Sequence, residues 1–385
     1  MSNTLQVPLS LYIHLPWCVR KCPYCDFNSH TAGDKAPRAR YLDALKTDLA
    51  AESERAGKRP LVSVFLGGGT PSLFTPDEIA DLLKAVRGRY VLADDVEITM
   101  EANPGTVECG DPAGYRRAGV NRLSVGAQSF SPASLAVLGR IHSVDDIGRA
   151  VRAATAAGFS NINIDLMYAL PGQDVAAAVF DLERAAELDP THISWYQLTL
   201  EPNTVFHARP PAGLPGEETS FDIQQRGQQR LAELGYGQYE VSAYARADMR
   251  SVHNLNYWSF GDYLAVGAGA HGKITNDEGI WRYAKIANPQ QYMQQQEVRA
   301  EVPTLKPLSG DDRLFEFLLN ALRLTDGFDE LLFETRTGLP AASLRQRLEP
   351  VIKKGLIASQ GSDSWRVTPL GHRFLNDLQA EFLPD

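Results

Sequence analysis

Short apolar runs separated by longer amphipathic ones recur through the first half of this chain, and that alternation restricts its fold more than any other feature. LSLYIHLP (9–16) reads as a strand and PRARYLDALKTDLAAESERAG (37–57) as a helix. LVSVFL (61–66) reads as the next strand. TPDEIADLLKAVRG reads as the next helix, opened by Thr75 and Pro76, residue types that suit an N-cap and a first helical position. VEITMEANP, NRLSVGAQSF, NINIDLMYALPG and HISWYQL repeat the strand pattern at intervals of about 25 to 40 residues, with a helix between most pairs. Such alternation predicts parallel strands joined by right-handed crossovers. At least six strands of this kind point to a barrel, or part of one, rather than an open sheet. In a barrel, functional residues belong at the strand C-terminal ends.

The unusual residues fall where that rule puts them. Three cysteines follow the first strand, GGGTP follows the second, and Glu101, Gln128 and Asp165 are read as ending the third, fourth and fifth. From about residue 301 the texture changes: VPTLKPLSG is a linker containing proline, and SGDDRLFEFLLNALRL begins a compact helical run. The tail LEPVIKKGLIASQGSDSWRVTPLGHRFLNDL reads as helix, short hairpin, helix, a winged-helix-like layout. The expected organisation is therefore an α/β partial (β/α) barrel over residues 1–300 and a small, mainly helical domain over 301–385. In the tail a packing role outweighs nucleic-acid binding, because the wing carries few basic residues.

WCVRKCPYC (17–25) gathers Cys18, Cys22 and Cys25 in a C-x3-C-x2-C spacing, and the rest of the chain holds only Cys109. The chain has 38 basic and 47 acidic residues, a net charge of −9 that does not favour broad attraction to nucleic acid or anionic lipid. No apolar run reaches membrane-spanning length, so no stable membrane insertion is expected. The first residues carry no basic segment and no small-residue cleavage site, which points to the cytoplasm. Close cysteines in a reducing compartment suggest a metal site before a disulfide. Three readings remain open on the residues alone. Zinc would need a fourth ligand such as His14 or His30. Inert buried cysteines are the plainest reading. An iron–sulfur cubane would take three thiolates and leave one iron free.

YIHLPWCVRKCPYCDF, FLGGGTPS, EANPGT, SVGAQSF, LGRIH, DLMYALPGQ and HNLNYW occur in this order. Together they resemble the radical S-adenosylmethionine superfamily and, within it, the coproporphyrinogen-oxidase-like branch that includes haem chaperones. The resemblance implies that Cys18, Cys22 and Cys25 ligate a [4Fe–4S] cluster, whose open iron takes the amino and carboxylate groups of S-adenosylmethionine. It implies reductive cleavage of that cofactor to a 5′-deoxyadenosyl radical, chemistry that the cofactors carry and the protein positions. By the same likeness Tyr12 and Tyr24 line the nucleoside and cluster side, and Gly68, Gly69 and Thr70 admit the methionine ammonium. Glu101, Gln128, Arg140 and Asp165 contact the methionine, the ribose and their surroundings. Each residue also has a plainer reading. GGGTP alone makes a strand-to-helix turn, Glu101 caps the following segment, Asp165 faces the helix layer, and Arg140 forms a surface ion pair.

Two departures separate this chain from the oxidases of the branch. Their fourth cysteine, two residues after the third, is here Phe27, and the first strand begins near Leu9 with little chain before it. Both favour a haem chaperone over an oxygen-independent coproporphyrinogen III oxidase, which stays as the alternative. HNLNYW (253–258) offers His253 as a candidate haem ligand, with Tyr257 and Trp258 as aromatic neighbours for a macrocycle. Read alone, such a histidine is a satisfied structural residue. His271, in GAGAHG, is a second candidate, and Cys109 receives no role. The resemblance further implies haem-requiring respiratory proteins as acceptors, and it is compatible with a homodimer.

Overall fold

Six of the expected strands stand side by side in chain order, each parallel to the next: Leu9–Leu15, Leu61–Gly68, Leu92–Ala102, Arg122–Gln128, Ile162–Tyr168 and His192–Gln197. The computed structural model describes residues 7–32, 36–105, 110–298 and 304–384. Cys109 and the expected domain boundary at 300/301 lie outside the described residues. Beyond the sixth strand the sheet continues antiparallel through Ala243–Ala245 and Gly237–Glu240. On the other side a seventh parallel strand, Asp262–Val266, pairs with the first, and His271–Asn276 and Gly279–Ala284 extend that edge antiparallel. Among the described residues the two edges of this sheet do not bond to each other, so the barrel is partial.

The period of two explains both faces. Leu9, Leu11, Ile13 and Leu15, with Val64, Leu66, Met100 and Ile164, are buried against the helices. Fully burying an aliphatic side chain of this size contributes about 1.5–3 kcal/mol. The alternate residues Ser10, Ser63, Thr99, Ser124 and Asn163 are polar and also buried, and all but Thr99 bond across the strands: Ser63 Oγ donates to Ser10 Oγ at 2.7 Å, and Asn163 Nδ2 to Ser124 Oγ at 2.7 Å. The inner face of the barrel is therefore a polar layer, and the chemistry is hung on it. Helix Pro76–Arg87 starts as expected, with Thr75 and Glu78 forming a reciprocal capping box.

The C-terminal part packs helices Gly310–Ala321, Glu330–Thr337 and Ala341–Lys353 against the hairpin Ile357–Ser359 and Ser364–Val367, to which Phe328–Asp329 adds a third strand. Its core of Phe317, Phe333, Leu344, Leu348 and Trp365 also takes in Phe260 and Ile280 from the barrel edge. The Arg282–Glu316 ion pair at 2.6 Å crosses the same seam. This domain is thus seated on the edge of the sheet beside the end of helix Val252–Trp258.

Candidate functional site

The loop after the first strand is bound by its own backbone. Trp17–Cys18 pairs with His30–Thr31, Ala32 N donates to Cys18 O at 2.7 Å, and Cys25 N donates to Cys22 O at 3.2 Å. It is also tied to the turn after the second strand, since Gly69 N donates to Leu15 O at 2.8 Å and Thr70 N to Trp17 O at 2.7 Å. The glycines there are required. Gly68 has φ +111, and a Cβ on it would meet His14 Cε1 at 2.2 Å; one on Gly69 would meet Trp17 O at 2.7 Å.

Cys18, Cys22 and Cys25, all half-buried and in no disulfide, open onto a cavity of about 340 Å³ at the C-terminal ends of the strands. Tyr24, Gly68, Gly69, Thr70, Glu101, Gln128, Arg140 and Asp165 line the same cavity, so the structure brings almost all of the expected residues together. Its walls are cross-linked. Arg140 donates from Nη2 to Asn103 Oδ1 at 2.6 Å and to Gly126 O at 2.9 Å, while its Nη1 lies 3.5 Å from Cys22 Sγ. Asn103 Nδ2 donates to Thr70 Oγ1 at 3.0 Å, and Gly68 N donates to Glu101 Oε2 at 3.0 Å. Tyr196 OH donates to Gln128 Oε1 at 2.8 Å, and Gln128 itself sits at φ 70 where the strand register shifts.

Asp165 corrects one expectation. It lies in the middle of the fifth strand rather than at its end, and it turns to the polar inner face, accepting from Ser124 Oγ at 2.9 Å and Asn163 Nδ2 at 2.7 Å. Burial raises its carboxyl above the ordinary range despite those bonds. Glu101 is raised to about 7, first by burial and then by the charge of Asp165, against the bond from Gly68 N. Two carboxylates on one wall, both desolvated, make a site that welcomes a cationic group. Asn103, Ser124, Gly126 and Tyr196 also line the cavity and were not singled out from the sequence. Ser124 and Gly126 share the parity of Gln128, and Tyr196 that of Ser194 and His192, so the period-two face carried the signal.

A single tetrahedral zinc would need its thiolates within about 4 Å of one another. Among the described residues no three His, Cys, Asp or Glu side chains are gathered for one ion. Three half-buried thiols lining one cavity with glycine and carboxylate walls suit a cluster with an amino acid bound beside it. Cys25 is pushed up by burial, an effect that thiolate ligation would have to offset.

A second cavity of about 650 Å³ adjoins the first, sharing Phe27, Gly68 and Glu101 with it. Its walls are Tyr12, His14, Tyr257, Trp258 and Tyr263, with His271 at the start of its strand and Asn320 from the C-terminal domain. Tyr12 therefore belongs to this cavity rather than to the cysteine one. His253 does not line either cavity. It is 2% exposed beneath Phe65, with Nδ1 2.8 Å from Ser63 Oγ and Nε2 buried without a hydrogen-bond partner.

Comparison with known proteins agrees with this geometry. The radical SAM superfamily model matches residues 12–184, and the HemN C-terminal domain model matches residues 308–374. A protein named haem chaperone HemW from Haemophilus influenzae is 46% identical, over 98% of this chain and 98% of its own length. One of the same name from Bacillus subtilis is 32% identical over 97% of this chain and 99% of its own. The structure of coproporphyrinogen III oxidase (HemN) from Escherichia coli, a radical SAM enzyme, superposes with a TM-score of 0.82 at 26% identity, covering 99% of this chain and 91% of that one.

Proposed function

Because the chain belongs to the HemW family of the radical S-adenosylmethionine superfamily, we propose that it is a haem chaperone, binding haem beside a [4Fe–4S] cluster and passing it to an acceptor protein. Cys18, Cys22 and Cys25 hold the cluster in this reading. Gly68, Gly69 and Thr70 receive the methionine end of S-adenosylmethionine, Glu101 and Asp165 meet its cationic groups, and Gln128, Arg140 and Tyr24 complete the contacts. The chemistry that a bound cluster supplies in this superfamily is reductive cleavage of S-adenosylmethionine. We assign haem-requiring respiratory proteins as acceptors and the cytoplasm as the compartment, which suits three close cysteines in no disulfide. A homodimer is compatible with the reading.

The observation that carries the haem assignment is the second cavity. Its volume of about 650 Å³ is within the ~300–1,000 Å³ of ligand pockets, and Tyr12, Phe27, Tyr257, Trp258 and Tyr263 give it aromatic walls suited to a flat macrocycle. Phe27, where the oxidases carry a fourth cysteine, is 61% exposed at the junction of the two cavities. Cluster-loaded protein should be incubated anaerobically with S-adenosylmethionine, a reductant and coproporphyrinogen III, and the products followed by mass spectrometry. We expect unconverted substrate, while a parallel sample binds haemin. Protoporphyrinogen appearing with 5′-deoxyadenosine would replace the chaperone reading with the oxidase.

A further inference from the structure

Three histidines stand near the second cavity. His14, on its wall, has both ring nitrogens engaged, Nδ1 with Tyr12 OH at 3.0 Å and Nε2 with Asn28 O at 2.9 Å, and the other two differ in exposure and in access to the cavity. His253 lies one layer behind the wall. The ring of Phe65 stacks on it at 4.9 Å, Tyr257 meets it edge-on at 4.7 Å, and Tyr12 lies 6.5 Å away. Tyr12 and Tyr257 line the cavity themselves, so they screen the imidazole from anything lodged there. Its Nδ1 is engaged with Ser63, whose hydroxyl continues to Ser10, where Asn256 Nδ2 also donates at 2.9 Å. Burial, helped by the charge of Arg122, lowers the imidazole pKa to about 3 and keeps the ring neutral. Ligation through His253 Nε2, which has no hydrogen-bond partner, would require a tyrosine to leave the wall.

His271 has the opposite character. It is exposed on the cavity wall, and its ring makes no hydrogen bond, ion pair or ring contact with other described residues. The backbone beneath it is held firmly. Gly267 at φ +103 and Gly269 at φ +77 turn the chain, Ala270 N donates to Gly267 O at 3.1 Å, and Lys285 N donates to Ala270 O at 2.8 Å. Asn28 of the cysteine loop clamps this turn, donating to Ala268 O at 2.9 Å and Ala287 O at 2.8 Å. A free imidazole on a fixed turn, facing aromatic walls across an open cavity, is the arrangement a haem iron can use.

We propose that His271, rather than His253, ligates the iron of haem held in the second cavity, and that His253 is a positioning residue which holds Tyr12 and Tyr257 in the wall. The inference rests on the haem-chaperone reading above. Haemin titrations of cluster-loaded protein, read by the Soret band and by electron paramagnetic resonance, test it. Wild-type protein should displace the band from that of free haemin. His271→Ala should lose the displacement and bind roughly 10–100-fold more weakly or worse, the scale that losing even an outer partner of a metal ligand costs. Added imidazole should restore its band. His253→Gln should keep the wild-type band position with a lowered melting temperature. An unchanged band and affinity in His271→Ala would overturn the assignment, as would loss of the band in a His253→Gln protein with wild-type circular dichroism. A wild-type protein that leaves the free-haemin spectrum unaltered would overturn the haem-chaperone reading itself, and the ligand assignment with it.

Discussion

The two adjoining cavities are built on different plans. The smaller, about 340 Å³, is formed by the ends of consecutive strands and one strapped loop, and its polar groups are locked to one another: Arg140 to Asn103, Asn103 to Thr70, Glu101 to Gly68, Gln128 to Tyr196. The larger, about 650 Å³, is assembled from the first strand, the cysteine loop, helix Val252–Trp258, the turn before His271, and Asn320 of the C-terminal domain. Its aromatic side chains pack with few hydrogen bonds, among them the Tyr12 OH to His14 Nδ1 contact at 3.0 Å and a bond from Arg282 Nη1 to Tyr263 OH. A zwitterion with a sugar needs fixed donors and acceptors, and only a rigid polar frame supplies them without reorganisation. A flat apolar cargo that must later leave is better served by ring faces and few polar anchors.

If the cavities are separable, removing a thiol should empty one and spare the other. Cys22 lines the smaller cavity only. Cys22→Ala, reconstituted anaerobically, should lose essentially all cluster iron and sulfide and its brown colour, while haemin binding stays within a few-fold of wild type. Iron and sulfide assays beside a haemin titration read both. Retained cluster would remove Cys22 from the ligand set. Joint loss of cluster and haemin would mean that the cysteine loop holds both cavities open as one unit.

Glu101 lies on the shared wall and sharpens the comparison through pH. Its folded-state value of about 7 is above the ordinary 4.5, so its contribution to stability is fully present below about 4.5 and lost as pH rises through 7. Glu101→Gln keeps an oxygen for Gly68 N and removes the buried charge. Cluster-free variant and wild type should differ little in stability at pH 5. At pH 8 the variant should be the more stable by on the order of 2 kcal/mol, a figure kept below the full linkage value because part of the side chain opens to the cavity. Denaturant melts at the two pH values check this. Equal stability at pH 8 would mean that solvent in the cavity already carries the charge. Binding of the cationic S-adenosylmethionine should weaken more at pH 8, where Glu101 carries its charge, than at pH 5.

These two plans also explain what could be read before the fold was known. The alternation of Leu9, Leu11, Ile13 and Leu15 with Ser10, Tyr12 and His14 announces a strand with two different faces, and the next five strands repeat it, so the smaller cavity follows from period and chain order. Asp165 was misplaced along its strand because an apolar run shows parity but not where the strand stops. The larger cavity has no such local signature. DYLAV is too short to declare itself, and its pairing with the first strand joins segments from opposite ends of the barrel domain. Asn320 arrives from another core altogether. His253 stood out by its motif, yet whether its ring faced a cavity or Phe65 depended on packing between Leu61–Gly68 and Val252–Trp258, which no local pattern encodes.

Phe27 marks the boundary between the plans and carries the smallest expected effect. It is 61% exposed, it touches both cavities, and the Lys21 Nζ bond to its carbonyl at 3.1 Å leaves the side chain itself out of the loop's internal bonding. Removing the ring should therefore disturb neither the fold nor the thiols. What it removes is one face against a planar guest, and an aromatic contact of that kind contributes about 0.5–1.5 kcal/mol beyond area burial. Phe27→Ala should accordingly weaken haemin binding by about 2–10-fold, with cluster iron unchanged. Fluorescence quenching titration against haemin, paired with an iron assay, reads the two together. A loss of cluster without a loss of haemin affinity would reverse the assignment, making Phe27 a lid on the smaller cavity, shielding its iron, rather than a wall of the larger one.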